Sequence, residues 1–311
     1  MEKEKNKYLL RQSIIRTLAY YDIFSYPLMA EEIYHNLDNN HTSVEDIRRE
    51  LENMTSNRLI FNKENFYQLK DDDNYVQRRR KGNELAEKRL KTARKVSGFI
   101  SRFPFIRGIL LSGSISKGFM EEDSDIDYFV ITYPNRVWFS RLALMFFKKL
   151  FLLNSKRNFC INYFVDSENL EIEEKNIFTA TEIVTLLPTF GRNIYDEFYE
   201  KNFWVKQYFP NFPKRETLKI LDRKNGMVKS FLEKILGKKL GDKIDDFAMG
   251  LFERFNKARY KTFDQEEFKL AFKSSKKESK HHPKFFQKQV LVEFENKIKL
   301  LEDQLKISLQ E

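Results

Sequence analysis

Apolar positions recur at helical spacing in the first part of the chain: Leu9, Ile14, Ile15, Leu18 and Ala19 fall on one helix face. Pro27 breaks that helix, and a second short helix fits 29–37. Thr42 or Ser43 caps a third, with Glu45 and Asp46 in its first turn and Val44, Ile47, Leu51 and Met54 as its stripe. The runs 59–61 and 66–69 flank the polar residues 62–65, the pattern of a small β-hairpin. Asp71 to Asn74 is a polar break, followed by a long charged helix over 75–101 that Pro104 closes. Continuous apolar runs then predict buried strands at 106–111, 128–132 and 158–165, with an amphipathic helix over 136–153. Helical periodicity dominates afterwards, at 179–187, 193–208, 216–236, 241–261 and 285–309, and no internal repeat is evident.

Composition narrows the class. The 311 residues suit two or three domains. With 41% hydrophobic and 33% charged residues the chain is too apolar to be disordered and too charged for a membrane bundle. Scarce Gly and Pro argue against a β-sandwich, and 30 Phe with 14 Tyr predict aromatic cores. The single cysteine, Cys160, excludes an internal disulfide framework and reads as a small core residue on a buried strand. Adjacent His281 and His282 are poor metal-site geometry and read as surface or interhelix residues, while Trp138 and Trp204 read as packing residues. The apolar stretch 137–153 contains Arg141, Lys148 and Lys149 and is too short to span a bilayer. The first residues lack the apolar core of a signal peptide, so a soluble cytoplasmic protein without membrane contact is expected. The net charge of +10 suits nucleotides, nucleic acid or acidic partners, and the Lys-rich run 273–284 reads as a solvated linker.

The informative stretch is 108–132. An apolar strand runs into Gly113-Ser114, and roughly ten residues later Asp125-Ile126-Asp127 opens another apolar strand. Asp residues at i and i+2 on a strand share a face about 6–7 Å apart. They repel each other unless a cation lies between them, and Asp oxygens suit Mg²⁺, which also takes phosphate ligands. At a strand-to-helix turn, backbone N–H groups can hold a phosphate, and Gly lets it approach.

This pattern resembles the nucleotidyltransferase superfamily of DNA polymerase beta, kanamycin nucleotidyltransferase and the minimal nucleotidyltransferases. Gly113, Ser114, Asp125 and Asp127 match its motif, with Gly118 and Ser124 as further matches to the bacterial branch. The resemblance spans about 105–170. It implies an α+β fold with a mixed-sheet core and transfer of a nucleoside monophosphate from an NTP, ATP being the expected donor, to an acceptor hydroxyl with release of pyrophosphate. Asp125 and Asp127 are the expected metal ligands and catalytic residues. Ser114, Ser116 and Lys117, with Gly113, are the expected phosphate-binding set. Lys117 also reads equally as an exposed helix lysine. Many members add a third carboxylate on a later strand. Here the mid-strand residue is Asn162, which is neutral, so the metal site that activates the acceptor is in question. Asp166 lies four residues on, about 13 Å away.

Three helices and a hairpin also resemble a winged helix-turn-helix unit. Its recognition helix, 43–54, carries a net charge of −2, which is poor for phosphate neutralisation. Duplex DNA is therefore the lesser partner, and a packing role the main expectation. The basic run Arg78 to Lys81 is the better electrostatic feature, read as a solvated interdomain helix or the lining of an acceptor groove. The stretch 179–191 is expected as a packed helix and turn that could wall the nucleotide pocket. The expected organisation is a winged-helix-like unit at 1–72, a linking helix at 73–103, the nucleotidyltransferase core at 104–178 and a helical C-terminal unit at 179–311. Two other readings remain: a catalytically silent module of the same fold that binds a nucleotide or protein, and a winged-helix DNA-binding regulator.

Overall fold

The computed structural model describes residues 2–39, 42–151, 157–217, 220–222 and 226–309. The chain begins with α1 (Glu2–Asp22), α2 (Ala30–His35) and α3 (Val44–Ser56), then a hairpin of β1 (Phe61–Lys63) and β2 (Phe66–Gln68). Ser43 caps α3 by accepting from Asp46 N–H at 3.2 Å, and the Asp46 carboxylate accepts from Ser43 N–H, a reciprocal box that fixes where the helix starts. The long helix α4 (Asp73–Ile100) follows.

The central sheet and its helices come next: β3 (Ile106–Ser112), the short α5 (Gly113–Ser116), β4 (Asp127–Thr132), α6 (Val137–Phe151), β5 (Cys160–Asp166), α7 (Ile177–Thr185), β6 (Leu187–Phe190) and α8 (Arg192–Lys201). After a 3-10 turn at Phe203–Gln207 come α9 (Met227–Leu236), α10 (Lys239–Arg259), α11 (Gln265–Ala271), β7 (Glu278–Lys280) and α12 (Phe286–Leu305). The sheet order is β6-β3-β4-β5-β7; β4 and β5 are parallel and the other pairs antiparallel.

The central strands are apolar on both faces because both are covered. Ile109, Leu111, Tyr128, Val130 and Phe164 point towards α4, α6 and α10. Leu110, Phe129, Ile131 and Val165 point towards α7, α8 and the 3-10 turn. A third core joins α1, α2, α3 and the hairpin, and Ile298 of α12 and Leu309 complete it.

Three features differ from the sequence reading. The sheet has two further strands, β6 and β7, outside the expected 104–178 core. The run 273–284 is not a solvated linker: β7 pairs with β5, Ser279 is buried against Arg141 Nη1 at 2.8 Å, and Trp138 Nε1 donates to Ser275 O at 2.7 Å. The helix expected over 216–236 begins only at Met227; residues 218–219 and 223–225 lie outside the described residues, as do 152–153 of the helix expected over 136–153.

The Arg78 to Lys81 run is also occupied. Arg78 bonds Phe24 O at 2.7 Å and Glu121, Arg80 pairs with Glu64, and buried Arg79 grips Glu32 with both guanidinium nitrogens at 2.6 and 2.7 Å. These arginines tie α4 to the N-terminal helices and hairpin rather than lining a free groove.

Asp245 of α10 is buried, and its carboxylate accepts from Phe139 N–H at 2.7 Å in the first turn of α6. Burial pushes its pKa up to about 6, while the Phe139 and Trp138 N–H groups and Arg136 pull it back. The folded state therefore holds a proton that the unfolded chain releases near 3.9. The stability this proton lends is complete below pH 4 and is lost as pH rises through 6. Asp245→Asn keeps an acceptor oxygen and removes the buried charge. Denaturation at pH 7.5 should show a gain of about 1–3 kcal/mol that disappears near pH 4. A gain independent of pH would show that the charge is not its source.

Candidate active site

Ser112, Asp127 and Cys160 stand side by side at one end of the central sheet, where β3 finishes and β4 and β5 begin. Gly113 follows Ser112 with φ +67°, and a Cβ there would lie 2.8 Å from Asp127 Oδ2. Glycine thus satisfies the left-handed backbone and leaves room for the carboxylate at the turn. The N-terminus of α5 has no side-chain cap. The first-turn N–H groups of α5 therefore lie at the end of the strands that carries Asp127.

Asn162 is placed here by a bulge. Opposite Tyr128 and Phe129 on β4, the paired residues of β5 are Ile161 and Tyr163, so Asn162 is the extra residue. Its Nδ2 donates to Asp127 Oδ1 at 2.9 Å, and its own Oδ1 accepts from the Cys160 thiol at 3.3 Å. Cys160 is buried as expected, and it also touches the carboxylate site. Burial, then the neighbouring Asp127 charge, pushes the thiol up to about 12, so it acts as a donor and not a nucleophile. Burial pushes the Asp127 carboxyl up to about 6; Asp125 and Glu182 add repulsion, while the Cys160 hydrogen bond and Lys117 oppose it.

Half-buried Asp125 sits just before β4, in a segment fastened by Arg89 of α4. Arg89 donates to Ser124 O at 2.5 Å and to Arg157 O at 2.7 Å, which binds the start of β4 to the approach of β5. The donor set fits a divalent cation: two aspartates, one of them desolvated and repelled by its neighbours, suit a hard cation with oxygen ligands. Among the described residues no cluster of three His, Cys, Asp or Glu side chains is gathered at one point, so water or substrate oxygens would complete the shell.

The remaining expected residues are placed differently. Ser116 is buried and its hydroxyl donates to Gly113 O at 2.8 Å, so it closes α5 instead of facing the cradle. Lys117 is no free surface lysine: its Nζ pairs with Glu182 at 2.7 Å and donates to Gly113 O at 3.2 Å. Asp166 lies at the opposite end of β5, buried and accepting from Asn169 Nδ2 at 2.7 Å, too far to replace Asn162. Glu182 and Arg89 were not singled out from the sequence. The clue to Glu182 is a lone charge among the uncharged residues Ala180 to Leu187, within the stretch expected to wall the pocket.

The N-terminal unit lies close by. The Tyr20 hydroxyl bonds Thr181, the neighbour of Glu182 on α7. Tyr26 meets the Phe119 ring edge-on at 5.7 Å, and Asn83 Nδ2 donates to Gly118 O at 2.5 Å. Phe119 rests on Gly82 of α4, where a Cβ would be 2.2 Å from the ring.

Residues 93–188 match the family model of the nucleotidyltransferase domain. Neither a curated protein nor a solved structure matches the chain. The match begins inside α4 and ends in β6, so it takes in the Gly113-Ser114 turn, both aspartates, Asn162 and Glu182. The chain thus carries a domain of the nucleotidyltransferase superfamily, and the mixed sheet with flanking helices fits the core of that fold. The general chemistry of such a domain is nucleotidyl transfer.

Proposed function

We propose that the protein is a Mg²⁺-dependent nucleotidyltransferase that moves a nucleoside monophosphate from an NTP, with ATP the expected donor, to an acceptor hydroxyl. The observation that carries this reading is the packing of Gly113 against Asp127 at the strand ends, with Asp125 two residues before. The acceptor oxygen bonds to the α-phosphorus as its hydroxyl proton passes to solvent, the bond from the α-phosphorus to the oxygen bridging to the β-phosphorus breaks, and pyrophosphate leaves with that oxygen. Asp125 and Asp127 would hold Mg²⁺, which would neutralise phosphate charge and favour that displacement. Ser114 and the first N–H groups of α5 hold the terminal phosphates. Glu182 fixes Lys117 beside the same turn, so a cation is kept next to the phosphate cradle. Asn162 orients Asp127 through its amide, and in this reading it would stand beside the acceptor hydroxyl.

Calorimetric titration with non-hydrolysable ATP, GTP, CTP and UTP analogues, with and without Mg²⁺, tests the reading. Mg²⁺-dependent binding of one of them is expected, and absence of binding to all four would overturn it. Asn162 favours a second reading, a nucleotide-binding module without turnover, and the two are separable. Asn162→Asp places a second carboxylate 2.9 Å from Asp127 Oδ1 in the apo protein. It should lower metal-free stability by about 1–3 kcal/mol. Mg²⁺ should then raise the melting temperature of the variant more than that of the parent. Pyrophosphate release gained only in Asn162→Asp would establish the silent module. A DNA-binding role is third, because Arg48 pairs with Glu31 and Arg49 with Asp46 on the face that would meet phosphate.

A further inference from the structure

Two consecutive helices leave apolar side chains facing outward. A surface helix ordinarily buries its apolar stripe. Helix α9 docks on the body through charged groups instead: Lys229 Nζ donates to Ser101 O at 2.9 Å and Ile106 O at 2.8 Å, and Glu233 pairs with Arg107 at 2.8 Å. Its apolar residues point outward, with Met227 at 90% and Phe231 at 62% exposure, and Ile235 one turn beyond. Helix α10 buries Ala248 in the core with Met249 and Phe252 packed beside it, yet it carries further apolar residues on its outer side. Its buried side includes Gly241, Asp245 and Asn256, while Phe247, Leu251 and Phe255 form an exposed stripe at spacings of four residues. Phe247 is 66% and Phe255 55% exposed. Helix α6, against which α10 packs, exposes Phe146 and Leu150 as well.

The charges around this surface have one sign left over. Between 227 and 259 every acidic side chain is engaged: Glu233 by Arg107, Asp242 by Arg136, Asp245 by Phe139 N–H, Asp246 by Lys276 and Glu253 by Lys257. Lys234, Lys238, Lys239, Lys243 and Arg254 form no ion pair with any described residue. A second copy of a +10 chain would bring these cations together across a twofold contact, which disfavours self-association through this face. Exposed Phe and Leu beside unpaired Lys is the pattern of a helix that lies in a lipid interface, apolar side in the acyl boundary and cations on anionic headgroups. No helix among the described residues is long and apolar enough to cross a membrane, so the contact is with the surface layer.

We propose that the outward faces of α9 and α10 dock this protein on an anionic phospholipid bilayer. The attachment is independent of the nucleotidyl-transfer site, which lies at the end of the sheet marked by Asp127. Co-sedimentation of the full chain tests it, using vesicles of phosphatidylcholine alone and of equal parts phosphatidylcholine and phosphatidylglycerol. The protein should pellet with the anionic vesicles, remain in solution with the neutral ones, and be released by salt. Phe231→Asp and Phe247→Asp should each lower the partition coefficient at least tenfold, and Lys238→Gln with Lys239→Gln about fivefold per lysine. All four positions are exposed, so the melting temperature should hold, and the lysine pair gives a second readout if a phenylalanine variant misfolds. Failure to pellet with anionic vesicles would overturn the proposal. Equal pelleting with both vesicle types would overturn its electrostatic basis. A dimer by light scattering that Phe247→Asp dissolves, or capture of an acidic protein without lipid binding, would reassign the face.

Discussion

Asp127→Asn should reduce nucleotidyl transfer at least about 10³-fold, equivalent to about 4 kcal/mol of transition-state stabilisation. The substitution is nearly isosteric. It keeps an oxygen for the 2.9 Å hydrogen bond from Asn162, and it keeps the space beside Gly113. What it removes is one of two negative charges able to hold a divalent cation between protein and phosphate. Mg²⁺-dependent binding of the donor analogue should weaken at least tenfold in the same variant, while any residual metal-free binding is unchanged. The melting temperature of the apo protein should not fall, because burial already makes the ionised Asp127 costly above pH 6. A variant that binds Mg²⁺ and nucleotide like the parent would remove Asp127 from the site. One that loses binding together with its fold would leave Asp125→Asn, at a less buried position, to decide.

Arg79→Ala should cost about 3–5 kcal/mol of stability, the range for removing one partner of a buried ion pair. The guanidinium is nearly inaccessible, holds Glu32 at both nitrogens, and donates to Pro27 O. It also lies between two rings, 4.4 Å from the centroid of Tyr26 and 4.5 Å from that of Phe66. Loss of the side chain therefore leaves a half-buried carboxylate without its cation, an unpaired carbonyl and a gap between aromatic faces. Arg79→Lys should recover little, since an ammonium cannot form the two parallel bonds or stack as a plane. Urea denaturation measures the loss, and hydrogen exchange should show α2 and the β1–β2 hairpin losing protection first. An unchanged denaturation midpoint would mean that the N-terminal unit is held by its apolar contacts alone.

The parts of this molecule that were legible in the sequence are those whose signal is local. The strand ending at Ser112, the Gly113-Ser114 turn and the Asp125-Ile126-Asp127 opening of β4 announce themselves by apolar runs and spacing. The cap at Ser43 and the two-residue turn between β1 and β2 do so by their side chains. What stayed hidden depends on partners far away in the chain. β6 contains Pro188, which reads as a break, yet an edge strand accommodates it. β7 has three residues in a lysine-rich run, and it forms because β5 offers a free edge. The counted positions of β5 put Asn162 in mid-strand, but its approach to Asp127 follows from a bulge that alternation cannot show. The arginines at 78–80 look like a solvated run until Glu121, Glu32 and Glu64 are brought to them. Glu182 is invisible for the same reason: α7 must fold over the sheet before its carboxylate meets Lys117.

The core of the N-terminal unit is completed by Ile298 and Leu309, and Lys297 pairs with buried Asp22. During synthesis, the first three helices and the hairpin emerge long before these closing residues do. Until then they present an uncovered side of α1, including Tyr20, whose ring later meets Phe294 edge-on. Helices α1 to α3 and the hairpin thus reach their final packing only after α12 has been made. Closure of this core is therefore a contact of long sequence separation, made only once α12 has been synthesised.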